Sequence, residues 1–435
     1  MQGEGEEQLT QANSTMPDGS RPYITISADT HAGLPAEAYR EYIEPKYREQ
    51  FDIWLNTPRN AARAVPPKNG TAARNWDTTE RFRDLDADGI CGEVIFPNSP
   101  APFCDEVFIF APPPAAERYE LELAGARAYN RWLVDWCKEA PARRAGIGLV
   151  HLNDIDQAIA DVKWIAEHGL RGGVMIVTPA NDARLPPPLY SPVYDRLWAA
   201  IQDCNLVLNQ HGGAGSPDYG EYPASKALWF LEVMFFSQRG FKQLILGGVF
   251  ERFPKLRYIL TESGCAWVPP ALAHMDALWK GMRAGNIGEM DFSRSHVLRE
   301  PPSFYAKRNC WYGASFPSPA EIAGYKDLGA DRILWGSDYP HSEGTFPYSR
   351  QALQLTFGAV DPAETRLMLE ENAARLYGFD LAALEPIAQR VGITPEDVRK
   401  PLREIPADTT CLMLRRARDG SHRVEDNAAR APAAG

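Results

Sequence analysis

The feature that most limits how this chain can fold is a regular alternation of short apolar segments with longer segments of helical periodicity. Apolar residues recur three or four positions apart in 116–140, 154–168 and 192–204, which predicts amphipathic helices. Eight strands that alternate with helices predict an α/β fold, a closed (β/α)8 TIM barrel, with a doubly wound open sheet as the alternative. The eight apolar segments, each bounded by turn residues, are 23–31, 89–97, 144–152, 170–178, 205–213, 256–264, 309–315 and 332–340.

The length of the chain is that of one barrel with insertions. It has 435 residues, whereas a barrel typically needs about 250. We predict a barrel over 21–385, a helical extension packed on it over 386–415, and mobile ends at 1–20 and 416–435, where apolar periodicity is missing.

Two proline-rich stretches interrupt this pattern. Residues 34–80 follow the first predicted strand, and residues 98–115 follow the second. In a barrel, the segments that follow strands lie over the C-terminal face, where active sites are built. We therefore expect these loops to line the substrate site.

Charge, hydropathy and cysteine content argue against several classes of protein. The net charge of −11 and the lack of a basic run disfavour nucleic-acid binding. No apolar stretch approaches the ~20 residues of a membrane span, and the acidic start is unlike a signal peptide, so we expect a cytoplasmic protein without a membrane partner. The seven cysteines contain no Cys-x-x-Cys pair, which predicts buried thiols.

One apolar stretch, WFLEVMFF at 229–236, carries a single charged residue. It predicts a helix buried in the core, with a contact between the subunits of a homodimer as the alternative.

Polar side chains follow the apolar part of four predicted strands. Each alone could be an ordinary hydrogen-bonded residue or a helix cap. Because the C-terminal ends of barrel strands meet at one face, their joint placement instead indicates a shared site. Histidine with carboxylate oxygens is a mixed ligand set that suits Zn²⁺ or Mn²⁺. In strand order the residues are Asp29 and His31 (first), His211 (fifth), Glu262 (sixth), and Asp338 with His341 just beyond it (eighth).

Several motifs resemble the amidohydrolase-related family, the branch of the amidohydrolase superfamily that includes aminocarboxymuconate-semialdehyde decarboxylase and γ-resorcylate-type decarboxylases. The resemblance spans about residues 23–380. The motifs are acidic-x-His at the first strand, RFRDLDADGICGEVIFP at the second, VLNQHGG at the fifth, FERFPKLRYILTESG at the sixth and ILWGSDYPHSEGTFP at the eighth.

The resemblance implies one divalent metal ion, zinc or alternatively manganese. Its implied ligands in this chain are Asp29, His31, His211 and Asp338. The chain departs from the family pattern at the sixth strand, where Glu262 stands in place of the histidine that many members present.

The same residues support two reactions on a small-molecule substrate. Our first interpretation is a metal-dependent hydrolase of a cyclic or aromatic compound. A metal-activated water would attack the substrate, Asp338 would take the proton, and His341 or Glu262 would steer or donate to the leaving group. The alternative is a non-oxidative decarboxylase, a carboxy-lyase, of an aromatic or unsaturated acid. In the decarboxylases that this chain resembles, the histidine of the sixth strand helps to move protons. The glutamate at position 262 replaces it and therefore favours hydrolysis.

A third alternative is a barrel that has lost catalysis and only binds. Two further residues are candidates for substrate binding. Arg239 follows an apolar helix and could bind a carboxylate, and His151 ends the third predicted strand.

Overall fold

Eight parallel strands form the barrel. A computed structural model describes residues 21–57, 72–177 and 186–420 of the chain. Each strand hydrogen-bonds to the next one in chain order. The strands are β1 (Ile26–Ala32), β2 (Gly92–Pro97), β3 (Arg144–Val150), β4 (Gly173–Ile176), β5 (Val207–His211), β6 (Arg257–Thr261), β7 (Cys310–Ser315) and β8 (Ile333–Gly336).

The barrel closes between its first and last strands. A parallel bridge pairs Thr30 with Tyr339 just after β8, and the N–H of Asp338 donates to the carbonyl of Asp29 at 2.9 Å. The predicted (β/α)8 barrel is therefore confirmed. Of the predicted strand residues, Thr178 lies outside the described part of the chain.

Helices cover the outside of the barrel, and glycines in the strands let them approach closely. A Cβ built on Gly148 of β3 would lie 2.4 Å from the side chain of Ile165, and one on Gly146 would lie 2.8 Å from Leu133. The α-helices are Arg48–Leu55, Thr78–Ala87, Tyr119–Lys138, Ile155–Glu167, Asp195–Asp203, Ser225–Leu246, Val249–Arg252, Val268–Ala284, Pro302–Asn309, Pro319–Ala323, Tyr325–Leu328, Ser349–Phe357, Pro362–Arg366, Asn372–Tyr377, Leu381–Val391, Pro395–Arg399 and Leu412–Arg418.

Smaller elements complete the fold. Two-residue strands at Asn286–Ile287 and Met290–Asp291 form a hairpin that the sequence did not predict, because strands this short carry no periodicity. The last helix includes the start of the segment that we predicted to be mobile, and residues 421–435 lie outside the described residues, as do residues 1–20. Within the described ranges, no helix is both long enough and apolar enough to cross a membrane.

The apolar stretch at 229–236 is not in the core, so our first prediction for it is wrong. It lies in the N-terminal half of helix Ser225–Leu246, where Phe230 is 63%, Leu231 76% and Phe235 59% exposed. A helix that is apolar on all sides gives no pattern to show which face, if any, the rest of the chain covers.

A buried ion pair ties helix Thr78–Ala87 to the barrel. Arg81 and Glu93 are both 0% exposed, and the guanidinium donates to the carboxylate at 2.7–3.1 Å. The same guanidinium donates to the carbonyl of His31 at 2.9 Å. Burial alone would raise the pKa of Glu93, but the charge of Arg81 lowers it below its ordinary value. Arg81 thus links β2 to the end of β1.

Candidate metal centre

The structure brings the four predicted ligands together at the C-terminal face of the barrel. Asp29, His31 and Asp338 are 0% exposed, and His211 is 1% exposed. Nε2 of His31 lies 3.2 Å from Oδ1 of Asp29 and 3.2 Å from Oδ1 of Asp338. Nε2 of His211 lies 3.4 Å from Oδ1 of Asp29. Among the described residues, His31 therefore belongs to two sets of side chains that could hold a cation, one with Asp29 and His211 and one with Asp338 and His341.

The hydrogen bonds of the two histidines fix which ring nitrogen faces the carboxylates. Nδ1 of His31 lies 3.2 Å from the carbonyl oxygen of Pro97, and Nδ1 of His211 lies 2.9 Å from that of Gly212. A carbonyl only accepts, so each Nδ1 carries the hydrogen. In the neutral rings, the lone pair of each Nε2 therefore points at carboxylate oxygens, as in histidines that bind metals.

This arrangement fits a divalent cation. A nitrogen lone pair that faces carboxylate oxygens is repelled unless a proton or a cation lies between them. Nε2 of His31 and Oδ2 of Asp338 are buried without a hydrogen-bond partner among the described residues. Two imidazoles and two carboxylates are also a ligand set that Zn²⁺ and Mn²⁺ accept. The residues present therefore fit the metal ion that the sequence predicted.

Without a cation, protons must compensate the charges of this cluster. Burial alone would raise the pKa of Asp29, but His211 and His31 lower it below its usual value. Burial likewise opposes charge on His31, yet its contacts with Asp29 and Asp338 raise its pKa well above the ordinary range. A metal ion would have to displace such protons, so we expect its affinity to fall in acid.

Two acidic residues at the strand ends have unusual backbone conformations. Glu262 directly follows β6 with φ at 51°, and Asp338 follows β8 with φ at 60°. This left-handed region costs a residue with a Cβ about 1 kcal/mol or more, and such strain is typical of functional sites.

Glu262 lies beside the cluster. Its Oε2 is 3.5 Å from Nδ1 of His211, which is not the ring nitrogen that faces Asp29. Burial and the nearby charges of Asp338 and Asp29 raise the pKa of Glu262 well above its usual value. Among the described residues, Glu262 therefore contacts one predicted ligand but belongs to neither set of side chains that could hold a cation.

His341 is held at the edge of the centre. Its Nδ1 lies 2.7 Å from Oδ1 of Asp338, and its Nε2 lies 2.8 Å from Oδ1 of Asn98. The ring packs against that of His31, with centroids 4.2 Å apart, and the side chain is 31% exposed. His341 can therefore reach both Asp338 and the solvent.

The two predicted substrate-binding residues lie apart from this cluster. His151 follows β3 and packs against two aromatic rings. The centroid of its ring lies 5.1 Å from that of Phe108 and 6.3 Å from that of Tyr119. Burial lowers its pKa to about 4, so the ring is neutral near pH 7. Arg239 lies over the ring of Phe236 in its own helix, at 6.0 Å. The contacts seen in the described residues do not join either side chain to the centre, and their substrate-binding role stays a prediction.

Ser315, at the end of β7, also belongs to the site, and the sequence prediction missed it. Its Oγ donates a hydrogen bond to Oδ2 of Asp29. The signal available was its position, since it ends a barrel strand as the ligands do.

We expect Ser315→Ala to weaken the binding of a divalent metal by about 10- to 100-fold, because Asp29 loses the hydrogen bond that orients it. Titration of Zn²⁺ into metal-stripped protein by calorimetry measures this change. Ser293→Ala, at an exposed serine, is the control. Equal zinc affinities in the wild type, Ser315→Ala and Ser293→Ala would show that Ser315 does not orient Asp29.

Comparisons with known proteins agree with this architecture. A family model described as Amidohydrolase matches residues 110–379. A 5-carboxyvanillate decarboxylase from Sphingomonas paucimobilis is similar in structure, with a TM-score of 0.61, 19% identity, and coverage of 82% of this chain and 99% of that one. An amidohydrolase from Mycobacterium avium subsp. paratuberculosis K-10 gives a TM-score of 0.62 and 18% identity, with the same coverage.

A third structure was solved with a metal ion. It is a dihydroxybenzoic acid decarboxylase from Polaromonas sp. JS666 with bound manganese and the inhibitor 2-nitroresorcinol. Its TM-score is 0.57 at 17% identity, with coverage of 81% of this chain and 96% of that one. A search of curated proteins found no match. At these identities the structural similarity establishes the fold.

Proposed function

The chain belongs to the amidohydrolase family, and from this premise we propose that it is a metal-dependent, non-oxidative decarboxylase of an aromatic or unsaturated carboxylic acid. The observation that carries the proposal is the pair of histidines, His31 and His211, whose Nε2 atoms point at buried carboxylates. Two of the three similar structures described above are decarboxylases of aromatic acids, which supports this reaction over hydrolysis.

Asp29, His31, His211 and Asp338 would hold the metal ion. When bound, a divalent cation would attract the carboxylate of the substrate and a neighbouring hydroxyl, and would stabilise their negative charge. The manganese in the Polaromonas structure supports manganese as the ion here, and zinc stays a prediction from the set of ligands. Metal analysis of the purified protein identifies the ion.

The chain's own residues supply the proton. We assign it to Asp338, whose Oδ1 lies 2.7 Å from Nδ1 of His341 and can receive a proton from that ring. The carbon that bears the carboxylate gains this proton, the bond to the carboxylate then breaks, CO₂ leaves, and the electron pair returns to the ring. Asp338 regains a proton from His341, which is open to solvent.

Hydrolysis, our first interpretation of the sequence, would use the same four ligands with Asp338 as the base. Glu262 was the main reason to prefer it. In the structure, Glu262 lies against Nδ1 of His211 and is absent from the groups of potential metal ligands. Because two of the three similar structures described above are decarboxylases of aromatic acids, hydrolysis is the second candidate function.

The reaction is tested by incubating metal-loaded protein in ¹⁸O-labelled water with hydroxybenzoates, amides, esters and lactones. We expect CO₂ release from a hydroxybenzoate, with no solvent oxygen in the product. The Asp338→Asn variant should lose this activity. Solvent oxygen in the product of an amide, ester or lactone, without CO₂ release, would establish the hydrolase instead.

We further propose that the chain forms a homodimer through the apolar face of helix Ser225–Leu246. This face consists of the exposed side chains Leu228, Phe230, Leu231, Met234 and Phe235. Contiguous apolar surface of this kind marks an interaction site. In a two-fold dimer, the same apolar face of a second copy of the chain would cover this one. Two-fold dimers are the commonest soluble oligomers.

We expect Leu231→Asp to convert the dimer to a monomer, because it places a charge in the middle of the apolar face. Sedimentation velocity measures the mass of each species. Met290→Asp is the control, since Met290 is 65% exposed on the separate hairpin. A wild-type protein that sediments as a monomer at all concentrations would refute the dimer.

A further inference from the structure

We propose that residues 400–420, which we call the C-terminal strap, position the loops after β6, β7 and β8 around the candidate metal centre. Each of these loops begins at or next to a residue described above, which is Glu262, Ser315 or Asp338. The matched family model ends at residue 379, so the strap lies outside the matched residues. Its effect on the reaction rests on the proposed function, whereas its effect on the loops can be measured without a substrate.

The chain passes from one end of the barrel to the other before it forms the strap. The N–H of Tyr23, shortly before β1, donates to the carbonyl of Ile393 at 2.9 Å. The N–H of Leu412 donates to the carbonyl of Glu343, in the loop after β8, at 3.1 Å. Because all strands of a parallel barrel run in one direction, the start of β1 and the end of β8 lie at opposite ends. The strap therefore reaches the face that carries the centre.

A small apolar cluster holds the strap against the loop after β7. Cys411, Met413 and Leu414 are 3% exposed or less, and Phe316 packs against the cluster that they form. Phe316 directly follows Ser315 and has a φ of 36°, in the left-handed region that a residue with a Cβ rarely adopts. Such a conformation persists only where the surrounding structure holds it. The strap supplies that support.

The strap holds the loop after β8 at a second point. Besides the backbone hydrogen bond described above, the hydroxyl of Tyr348 donates to the carboxylate of Asp408 at 2.6 Å. Burial raises the pKa of the Cys411 thiol, and the charge of Asp338 adds to this effect. The strap therefore comes within electrostatic range of the centre, as well as fixing the far end of this loop.

The strap acts on the loop after β6 through a partly buried carboxylate. Glu321 accepts a hydrogen bond at 2.9 Å from the N–H of Cys265, which is in the same loop as Glu262. Burial raises the pKa of Glu321, and the positive charge of Arg416 in the strap opposes this effect. Arg416 thus favours the ionised carboxylate, which is the stronger acceptor for that N–H.

Three loops that are distant in sequence therefore share one support. Leu414→Asp tests this inference, because it places a carboxylate in the apolar cluster. Hydrogen-exchange mass spectrometry of the zinc-loaded full chain measures each loop separately. We expect exchange at least about 10-fold faster in peptides that cover 262–267, 315–318 and 337–348, with no change in β3. Arg415→Asp places the same side chain at an exposed position of the same helix, and it should match the wild type.

Two further measurements separate positioning from a purely structural role. Titration of Zn²⁺ into metal-stripped Leu414→Asp should give an affinity lower by about 10- to 100-fold. Arg416→Gln removes the charge that acts on Glu321 and should speed exchange only in the loop after β6, whereas Arg416→Lys should restore the wild-type pattern. For the substrate found above, kcat of Leu414→Asp should fall by about 10-fold with little change in KM, because Asp338 is less well placed.

Faster exchange confined to residues 400–420 would overturn the inference, as would a wild-type zinc affinity in Leu414→Asp. Equal acceleration in β3 and in the loops would also overturn it, because the whole barrel would then be loosened. If Leu414→Asp does not fold, Leu414→Ala, which only shortens the side chain, decides the question by the same measurements. If no compound in the panel is decarboxylated, the proposed function fails, while the exchange and zinc results still decide the role of the strap.

Discussion

Replacing His211 with alanine is expected to remove the metal ion and to lower kcat/KM for decarboxylation by at least about 100-fold. Loss of an outer-shell partner alone typically costs about 10- to 100-fold in metal affinity or activity, and loss of a ligand should cost no less. In this variant, Asp29 also loses the imidazole that faces it at 3.4 Å and lowers its pKa.

The measurement is the metal content of purified protein by mass spectrometry, followed by kinetics with Zn²⁺ or Mn²⁺ added back. His274→Ala is the matched control, because His274 is an exposed histidine on helix Val268–Ala284. A His211→Ala protein that retains stoichiometric metal and wild-type activity would remove His211 from the centre. Loss of metal without loss of activity would instead contradict the proposed reaction.

Replacing Arg81 with methionine is expected to destabilise the protein by about 3–5 kcal/mol, because it leaves the buried carboxylate of Glu93 without its main partner. Arg144, whose Nε lies 3.5 Å from Glu93, offsets part of this loss. The substitution also removes the donor to the carbonyl of His31, so metal affinity should fall together with stability.

Urea denaturation of metal-saturated protein measures the free energy of unfolding. Arg83→Met is the control, because Arg83 lies on the same helix with its side chain 60% exposed. The double variant Arg81→Met/Glu93→Leu should recover part of the loss, since no carboxylate is then left buried without Arg81, while the buried Arg144 keeps Glu139 at 3.6 Å as its partner. An Arg81→Met protein as stable as Arg83→Met would show that the ion pair does not stabilise the barrel.

The strands, and the placement of the four predicted ligands at one face of the barrel, could be predicted from the sequence because both depend on local pattern. Short apolar runs define the strands, and a parallel barrel brings their C-terminal ends to one face. Polar residues at those ends, such as His211 and Asp338, are then neighbours whatever the details of packing. This is why residues far apart in the chain could be assigned to one centre.

The partners of those ligands could not be predicted in the same way. Ser315 and Asn98 are small polar residues of kinds common in turns, and their contacts with Asp29 and His341 depend on side-chain orientation. The exposure of helix Ser225–Leu246 was missed because a uniformly apolar sequence has no polar face to mark the side that meets water. The choice between hydrolysis and decarboxylation also lay beyond the sequence, because both reactions use the same ligands.

The left-handed backbone at Glu262 and Asp338 bears on how this chain could diverge. Glycine would occupy both positions with less strain than an acidic side chain. Only chemistry at the centre gives a reason to keep carboxylates there. A descendant freed from catalysis should therefore drift towards glycine at these two positions and gain stability as it does.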